Sequence, residues 1–139
     1  MEGSGVGQLV VPAGWYPGLT EDMVLQFEQG VVVEVRGGGA VGDELRCLLQ
    51  TGSADPAHEA RRNLAELGIG VNPNARKPDN VLEAEKIKGT VHIAIGDNAH
   101  IGGRVEADLH EDFVQPQPDL FLDGQVVIVG GEWQLGGGA

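Results

Sequence analysis

Four side chains of metal-binding type, Glu66, His92, His110 and Asp112, occur in patterns that point them to one side of extended segments. The densest pattern is Arg104-Val105-Glu106-Ala107-Asp108-Leu109-His110-Glu111-Asp112-Phe113. Successive side chains of a strand alternate faces, so a strand over this segment puts Arg104, Glu106, Asp108, His110 and Asp112 together. His110 and Asp112 then stand about 6–7 Å apart along the strand, a separation that one cation can bridge. In Thr90 to Ile95 the apolar Val91, Ile93 and Ile95 share one face and His92 takes the other. In Leu64 to Val71 the apolar side is Ala65, Leu67, Ile69 and Val71, and the opposite side is Glu66 with Gly68 and Gly70. An acid within an apolar strand is costly unless it is paired or metal-bound. The two glycines on its side leave room for another group to approach. Imidazoles and carboxylates together suit zinc, iron, manganese or cobalt. Each piece also has a plainer explanation: a solvated sheet face, a structural histidine, an edge strand.

These segments sit in a chain that reads as mostly strands. Gln8 to Pro12, Met23 to Phe27 and Val31 to Arg36 are short apolar runs, the last two flanking a hairpin turn at Glu28-Gln29-Gly30. Val41 to Gln50 has helical spacing, with Leu45, Leu48 and Leu49 on one side. Asp55-Pro56 opens a second short helix, Ala57 to Asn63, with proline at its tolerated first position. Asp79 is the N-cap of a third helix running to about Lys88, ended by Gly89. Leu120 to Leu122 and Gln125 to Val129 flank an Asp123-Gly124 hairpin turn. The expectation is one α+β domain over residues 1–139, with a mixed or mainly antiparallel sheet and about three short helices.

The composition narrows the functions. At 139 residues and 14.6 kDa the chain fits one domain with a real core. Hydrophobic residues make up 41% with a mean hydropathy of −0.10, and no apolar run is long enough to cross a membrane. The start, MEGSGVGQLV, has neither a basic stretch nor a long apolar one, so no secretory signal is expected. Cys47 is the single cysteine and cannot form an internal disulfide, which favours a cytoplasmic address. Nine basic against 21 acidic residues give a net charge of −12, and Arg61-Arg62 with Arg76-Lys77 is too thin a basic patch for a phosphate backbone. Neither nucleic acid nor a membrane is expected as a partner.

Gly37-Gly38-Gly39-Ala40-Val41-Gly42 fits G-x-G-x-x-G between a strand and a helix, the context of a dinucleotide-binding turn. The next strand, however, ends Gly70-Val71-Asn72 without the terminal acid that such a site requires. In a chain with 23 glycines the match is read as coincidental. His100, in a glycine-rich loop before Gly102-Gly103, is either a substrate contact or an exposed loop residue. His58 and Cys47 lie on helices and are read as structural.

The stretch Ala65-Glu66-Leu67-Gly68-Ile69-Gly70-Val71-Asn72-Pro73-Asn74-Ala75, followed by Glu85-Lys86, Gly89-Thr90-Val91-His92-Ile93-Ala94-Ile95-Gly96, Gly102-Gly103 and His110-Glu111-Asp112, resembles the C-terminal metal-binding region of the aminopeptidase T family. These are leucyl-aminopeptidase-like metallopeptidases, with the iron-dependent 2,5-dihydroxypyridine dioxygenases as relatives. The resemblance implies a metal centre. The family's acid in its Glu-Leu-Gly strand falls on Glu66, its histidine in Gly-Thr-x-His-x-Ala-x-Gly on His92, and its His-x-Asp pair on His110 and Asp112. Where family peptidases carry a further glutamate after a proline-rich turn, this sequence runs Pro12-Ala13-Gly14-Trp15, so the implied ligand set is reduced.

The expected function is therefore a metal-dependent, aminopeptidase-like hydrolase. One zinc, manganese or cobalt ion is held by Glu66, His92, His110 and Asp112, and Glu66 serves as ligand or general base. The substrate would be a small molecule or short peptide. Two alternatives stand beside it: a mononuclear iron ring-cleaving dioxygenase, and a non-catalytic truncated or assembly domain. A homo-oligomer, in the first instance a dimer, is expected because a domain without its family partner leaves surface to cover.

Overall fold

The structure, a computed structural model, describes residues 3–76 and 84–134. Among these the chain forms nine strands in three three-stranded sheets, every pairing antiparallel, with two short α-helices. This is the α+β class expected from the alternating and helical patterns. The first sheet is β1 (Gly7–Val11), β2 (Met23–Glu28) and β3 (Val31–Gly37), in that order. After β3 come α1 (Gly39–Leu49) and α2 (Pro56–Arg61). The second sheet is β4 (Leu64–Ile69), β5 (Val91–Gly96) and β6 (His110–Gln115), with β5 in the centre. The third is β7 (Leu120–Leu122), β8 (Gln125–Val129) and β9 (Glu132–Trp133).

The main core lies between the first two sheets and α1. Leu9 and Val11 of β1, Met23, Leu25 and Phe27 of β2, and Leu45 and Leu49 of α1 are buried with Ile95 of β5 and Phe113 of β6. Ile95 and Phe113 are therefore the contribution of the second sheet's inner face, which leaves its other face for polar groups. Asn63, between α2 and β4, ties the two sheets. Its side-chain amide donates to the Gly96 carbonyl (3.0 Å), and its main-chain carbonyl accepts from the Gly96 N–H (2.8 Å). Arg62 is buried, and its guanidinium is satisfied by the carbonyls of Leu49, Gln50 and Ser53 at and beyond the end of α1. A cation at a helix C-terminus meets carbonyls that have no partner within the helix.

Asp55 caps α2 as expected, its carboxylate accepting the Ala57 N–H at 3.0 Å ahead of Pro56. Asp55→Ala should lower the stability by about 1 kcal/mol, the usual cost of losing such a cap. Chemical denaturation reads this directly, and Asp55→Asn should recover most of the loss. The expected third helix, Asp79 to Lys88, lies mostly outside the described residues. Its C-terminal side forms tight turns, with Ile87 N–H on Ala84 O and Thr90 N–H on Ile87 O, both 3.1 Å, and Gly89 takes the positive φ expected of it.

Two local readings need correction. The strand expected from Arg104 begins only at His110. The side chains of Asp97 and Asn98 accept the Ala107 and Val105 N–H groups (3.1 and 3.0 Å), so these amides are taken by local bonds rather than a sheet ladder. Arg104, Glu106 and Asp108 therefore do not continue the polar face; Asp108 instead holds Arg61 through two 2.7 Å bonds. The Gly37 to Gly42 turn joins α1 to an antiparallel hairpin strand, not to a parallel βαβ unit. The Arg46 guanidinium occupies the carbonyls of Val35 and Gly37 there (3.0 and 3.1 Å). A Cβ on Gly42 would lie 2.0 Å from the Gly37 carbonyl oxygen, so close packing of helix on strand accounts for that glycine.

Candidate metal centre

Strand register decides what the polar face of the second sheet contains. Residues directly opposite in an antiparallel pair share a face. Glu66 lies opposite Ala94, and Ala94 opposite Asp112. Gly68 lies opposite His92, and Gly96 opposite His110. Glu66, His92, His110 and Asp112 therefore belong to one face, across three strands, with the fully buried Ala94 between the two acids.

The side chains converge. One ligand atom each from Glu66, His92 and Asp112 lie within 4.8 Å of one another, a three-residue set able to hold a metal ion. His110 meets two of the three, its Nε2 standing 3.4 Å from Glu66 Oε2 and 3.6 Å from Asp112 Oδ2. His92 Nε2 stands 3.8 Å from Glu66 Oε1. His92 is only 8% exposed, whereas the Glu66 side chain, on the edge strand β4, is 29% exposed. A register shift between Leu64 and Glu66 marks a bulge in β4 just before the acid, a common device for re-aiming a side chain.

Two neighbours set this arrangement, and neither was singled out from the sequence for that role. His110 Nδ1 lies 2.7 Å from the Asp97 main-chain carbonyl oxygen. A carbonyl only accepts, so Nδ1 carries the proton and the lone pair of the neutral ring is on Nε2, facing the acids. Gly68 leaves the space that His92 fills: a Cβ there would lie 2.1 Å from His92 Cε1 and Nε2. The room expected beside Glu66 is thus taken by an imidazole from the adjacent strand. Gly70 is tight for a different reason, with the Ile87 carbonyl oxygen 2.0 Å from where its Cβ would be.

The electrostatics of the face suit a cation. Burial lifts the Asp112 carboxyl above the usual carboxylate range, and the charges of Glu85 and Glu66 push it further up against the opposing pull of His110 and His92. Burial by itself disfavours charged His110. The Asp97 carbonyl and the Asp112 and Glu66 carboxylates outweigh it, so the net shift is upward. Among the described residues, His92 Nδ1 and Asp112 Oδ1 are both buried without a hydrogen-bond partner, and such orphaned atoms call for an explanation. Lys86 is paired with Glu85 at 2.9 Å, so its charge is shared with that acid.

A pH dependence follows. Each group has its pKa raised on folding, so each contributes stability that is complete below its unfolded value and lost as pH rises through its folded value. The upper window is that of His110, beginning near the ordinary imidazole value of about 6.5. Chelated protein should show a Tm that falls as the pH rises above about 6.5. Excess divalent metal should weaken or reverse that trend, because metal binding requires the deprotonated ligands. A Tm that rises with pH in the chelated protein would contradict this assignment.

The other histidines fall elsewhere. His58 Nδ1 is 2.9 Å from Ser53 Oγ, near the start of α2, and Cys47 is an exposed thiol on α1. His100 is drawn to Asp97, Nδ1 to Oδ2 at 2.5 Å, and its ring meets that of His110 edge to face with centroids 4.8 Å apart.

With the site in view, the comparisons with known proteins are decisive for the family. The profile of the NicX family, 2,5-dihydroxypyridine 5,6-dioxygenase, matches residues 5–135. The chain belongs to this family. Among solved structures it is similar to 2,5-dihydroxypyridine dioxygenase from Pseudomonas putida KT2440, with a TM-score of 0.81 and 20% sequence identity over 99% of this chain and 42% of that one. That likeness shows a shared fold, and the chain spans less than half the length of the solved relative. No curated protein sequence matches this chain.

Family membership corrects the expected hydrolase and aminopeptidase assignment. Of the resemblance read from the sequence, the dioxygenase relatives are the part that the family match supports; nothing supports aminopeptidase T itself. The reason is chemical. Gly-Thr-x-His and His-x-Asp spacings describe how a strand presents metal ligands, and imidazole with carboxylate serves hydrolysis and oxygen chemistry alike. Among the described residues no helix is long and apolar enough to cross a membrane.

Proposed function

We propose that residues 1–139 form the metal-binding domain of a mononuclear iron dioxygenase that opens a dihydroxylated aromatic ring. His92, His110 and Asp112 hold the ion in this reading, and Glu66 stands beside them as the base. The observation that carries it is the convergence on one sheet face of ligand atoms from Glu66, His92 and Asp112 within 4.8 Å of one another, with His110 Nε2 3.4 and 3.6 Å from the two acids. Two histidines with a carboxylate fit ferrous iron, and oxygen activation is the chemistry that iron supplies in such a set. Family membership directs the choice of substrate class to small dihydroxylated rings such as 2,5-dihydroxypyridine.

The chain's own residues have separable tasks. His110 is held by its Nδ1–H on the Asp97 carbonyl, which fixes the ring and its tautomer, as metal-binding histidines are usually fixed. Asp112 is the more buried acid and remains with the ion. Glu66 has the more exposed side chain and is the group placed to accept the proton of a substrate hydroxyl. A homo-oligomer and a cytoplasmic address complete the reading. They rest on the exposed Phe121, Leu122 and Val126 of the β7–β8 hairpin and on the lone cysteine.

The test is elemental analysis after anaerobic reconstitution, followed by oxygen uptake with 2,5-dihydroxypyridine. About one iron per chain is expected, with oxygen consumption that His110→Ala abolishes. Stoichiometric iron with no oxygen uptake would overturn the dioxygenase reading, and failure to bind any divalent metal would overturn the site.

A further inference from the structure

The loop from β5 to β6 holds a third imidazole, His100, at the edge of this site, and its construction has a purpose that the four side chains do not explain. Asp97 anchors both rings. Its main-chain carbonyl accepts the His110 Nδ1–H at 2.7 Å, and its carboxylate accepts the His100 Nδ1–H at 2.5 Å and the Ala107 N–H at 3.1 Å. Asn98 is buried beside it, and its Oδ1 accepts the Val105 N–H at 3.0 Å. The loop closes so tightly on Asn98 that a Cβ at Gly103 would lie 2.2 Å from the amide carbon and oxygen. His100 is thus fixed by a braced loop, although its side chain is 52% exposed.

A histidine serving only the loop could satisfy Asp97 and leave its ring in solvent. This ring instead lies edge to face with His110, centroids 4.8 Å apart. With Nδ1–H given to the Asp97 carboxylate, the neutral ring keeps its lone pair on Nε2, and that atom takes part in none of the described hydrogen bonds. The result is one hydrogen-bond acceptor on a ring held against His110, because a single residue, Asp97, binds both imidazoles.

We infer that His100 is a substrate-binding residue whose Nε2 accepts a hydrogen bond from the second hydroxyl of a dihydroxylated ring, while the first hydroxyl occupies the site formed by Glu66, His92, His110 and Asp112. This rests on the dioxygenase reading and deepens it. It assigns the recognition of ring substrates with two hydroxyls on opposite sides to a named residue, and it predicts that rings with one hydroxyl lose that contact.

The experiment is anaerobic equilibrium binding to the iron-loaded protein with three ligands: 2,5-dihydroxypyridine, 2-hydroxypyridine and 3-hydroxypyridine. His100→Ala should weaken 2,5-dihydroxypyridine by about three- to tenfold, the range for one hydrogen bond, and leave at least one of the single-hydroxyl ligands unchanged. Iron content should not change, and His100→Gln, which keeps an acceptor, should restore part of the loss. Equal weakening of all three ligands, or loss of iron in His100→Ala, would show that His100 acts only through the loop and His110, and would overturn the inference. Undiminished binding of 2,5-dihydroxypyridine would overturn it as well. The dioxygenase reading fails separately, and this inference with it, if the unaltered iron-loaded protein binds none of the three.

Discussion

Alanine at Gly68 should expel the His92 imidazole from the metal-binding face and weaken metal affinity by at least 10–100-fold, the scale on which disturbing a ligand's surroundings is felt. The argument is steric. The new Cβ would sit 2.1 Å from two atoms of the His92 ring, and the residue is buried, so the ring has to shift against its neighbours. Gly68 has no positive φ, so alanine meets no backbone strain, and the whole effect passes through His92. Overpacking of this kind also costs about 1–3 kcal/mol of stability. A double variant separates the two consequences. His92→Ala removes the ring that the methyl strikes, so Gly68→Ala should destabilise far less in that background, a non-additivity expected of residues in contact. Metal titration with thermal unfolding of the four proteins measures both. Gly68→Ala with unchanged metal affinity would mean that His92 is not part of the site.

The second large effect is expected at Asp112, with stability and metal binding changing in opposite directions. Burial and the nearby Glu85 and Glu66 raise the pKa of this carboxyl, so the charged form is the one that folding disfavours. Its Oδ1 is buried and has no hydrogen-bond partner among the described residues, so the metal-free fold gains no hydrogen bond from it there. Asp112→Asn keeps the shape and removes the charge. The metal-free variant should be more stable than the unaltered protein at neutral pH and should lose metal affinity by at least 10–100-fold. A carboxylate retained for the fold would do the reverse, destabilising on replacement and leaving metal binding intact. Unfolding of chelated protein beside a metal titration distinguishes the two, and a less stable, metal-competent Asp112→Asn would remove the residue from the proposed centre.

Both variants act on features that differ in how visible they are in the sequence. The side of the strand taken by Glu66, His92, His110 and Asp112 follows from alternation alone, because adjacent side chains of extended chain point apart whatever the strand packs against. The same local rules give the Asp55 cap, the Asp123-Gly124 hairpin and the apolar inner positions Ile95 and Phe113. Local reasoning fails where a side chain competes with the ladder. Asp97 and Asn98 take two amides and delay β6 to His110, although Arg104 to Leu109 alternates as well as any strand in the chain. It also fails at the glycine-rich turn, whose spacing suits a nucleotide but which follows an antiparallel hairpin strand and is tight because α1 packs on Gly37.

By itself, the sequence determined the α+β class, the extended segments, the polar side of each and the donor types that make a metal centre chemically reasonable. Only the tertiary structure decided that β4, β5 and β6 are neighbours, and that the register sets Glu66 and Asp112 on either side of Ala94. It also decided that Gly68 exists for His92 and that Asp97 holds two imidazoles at once. The reason is range. Alternation and capping are properties of a few consecutive residues, whereas register is set by apolar side chains far apart in the chain burying themselves together. A one-residue slip in that register would turn every ligand to the opposite face.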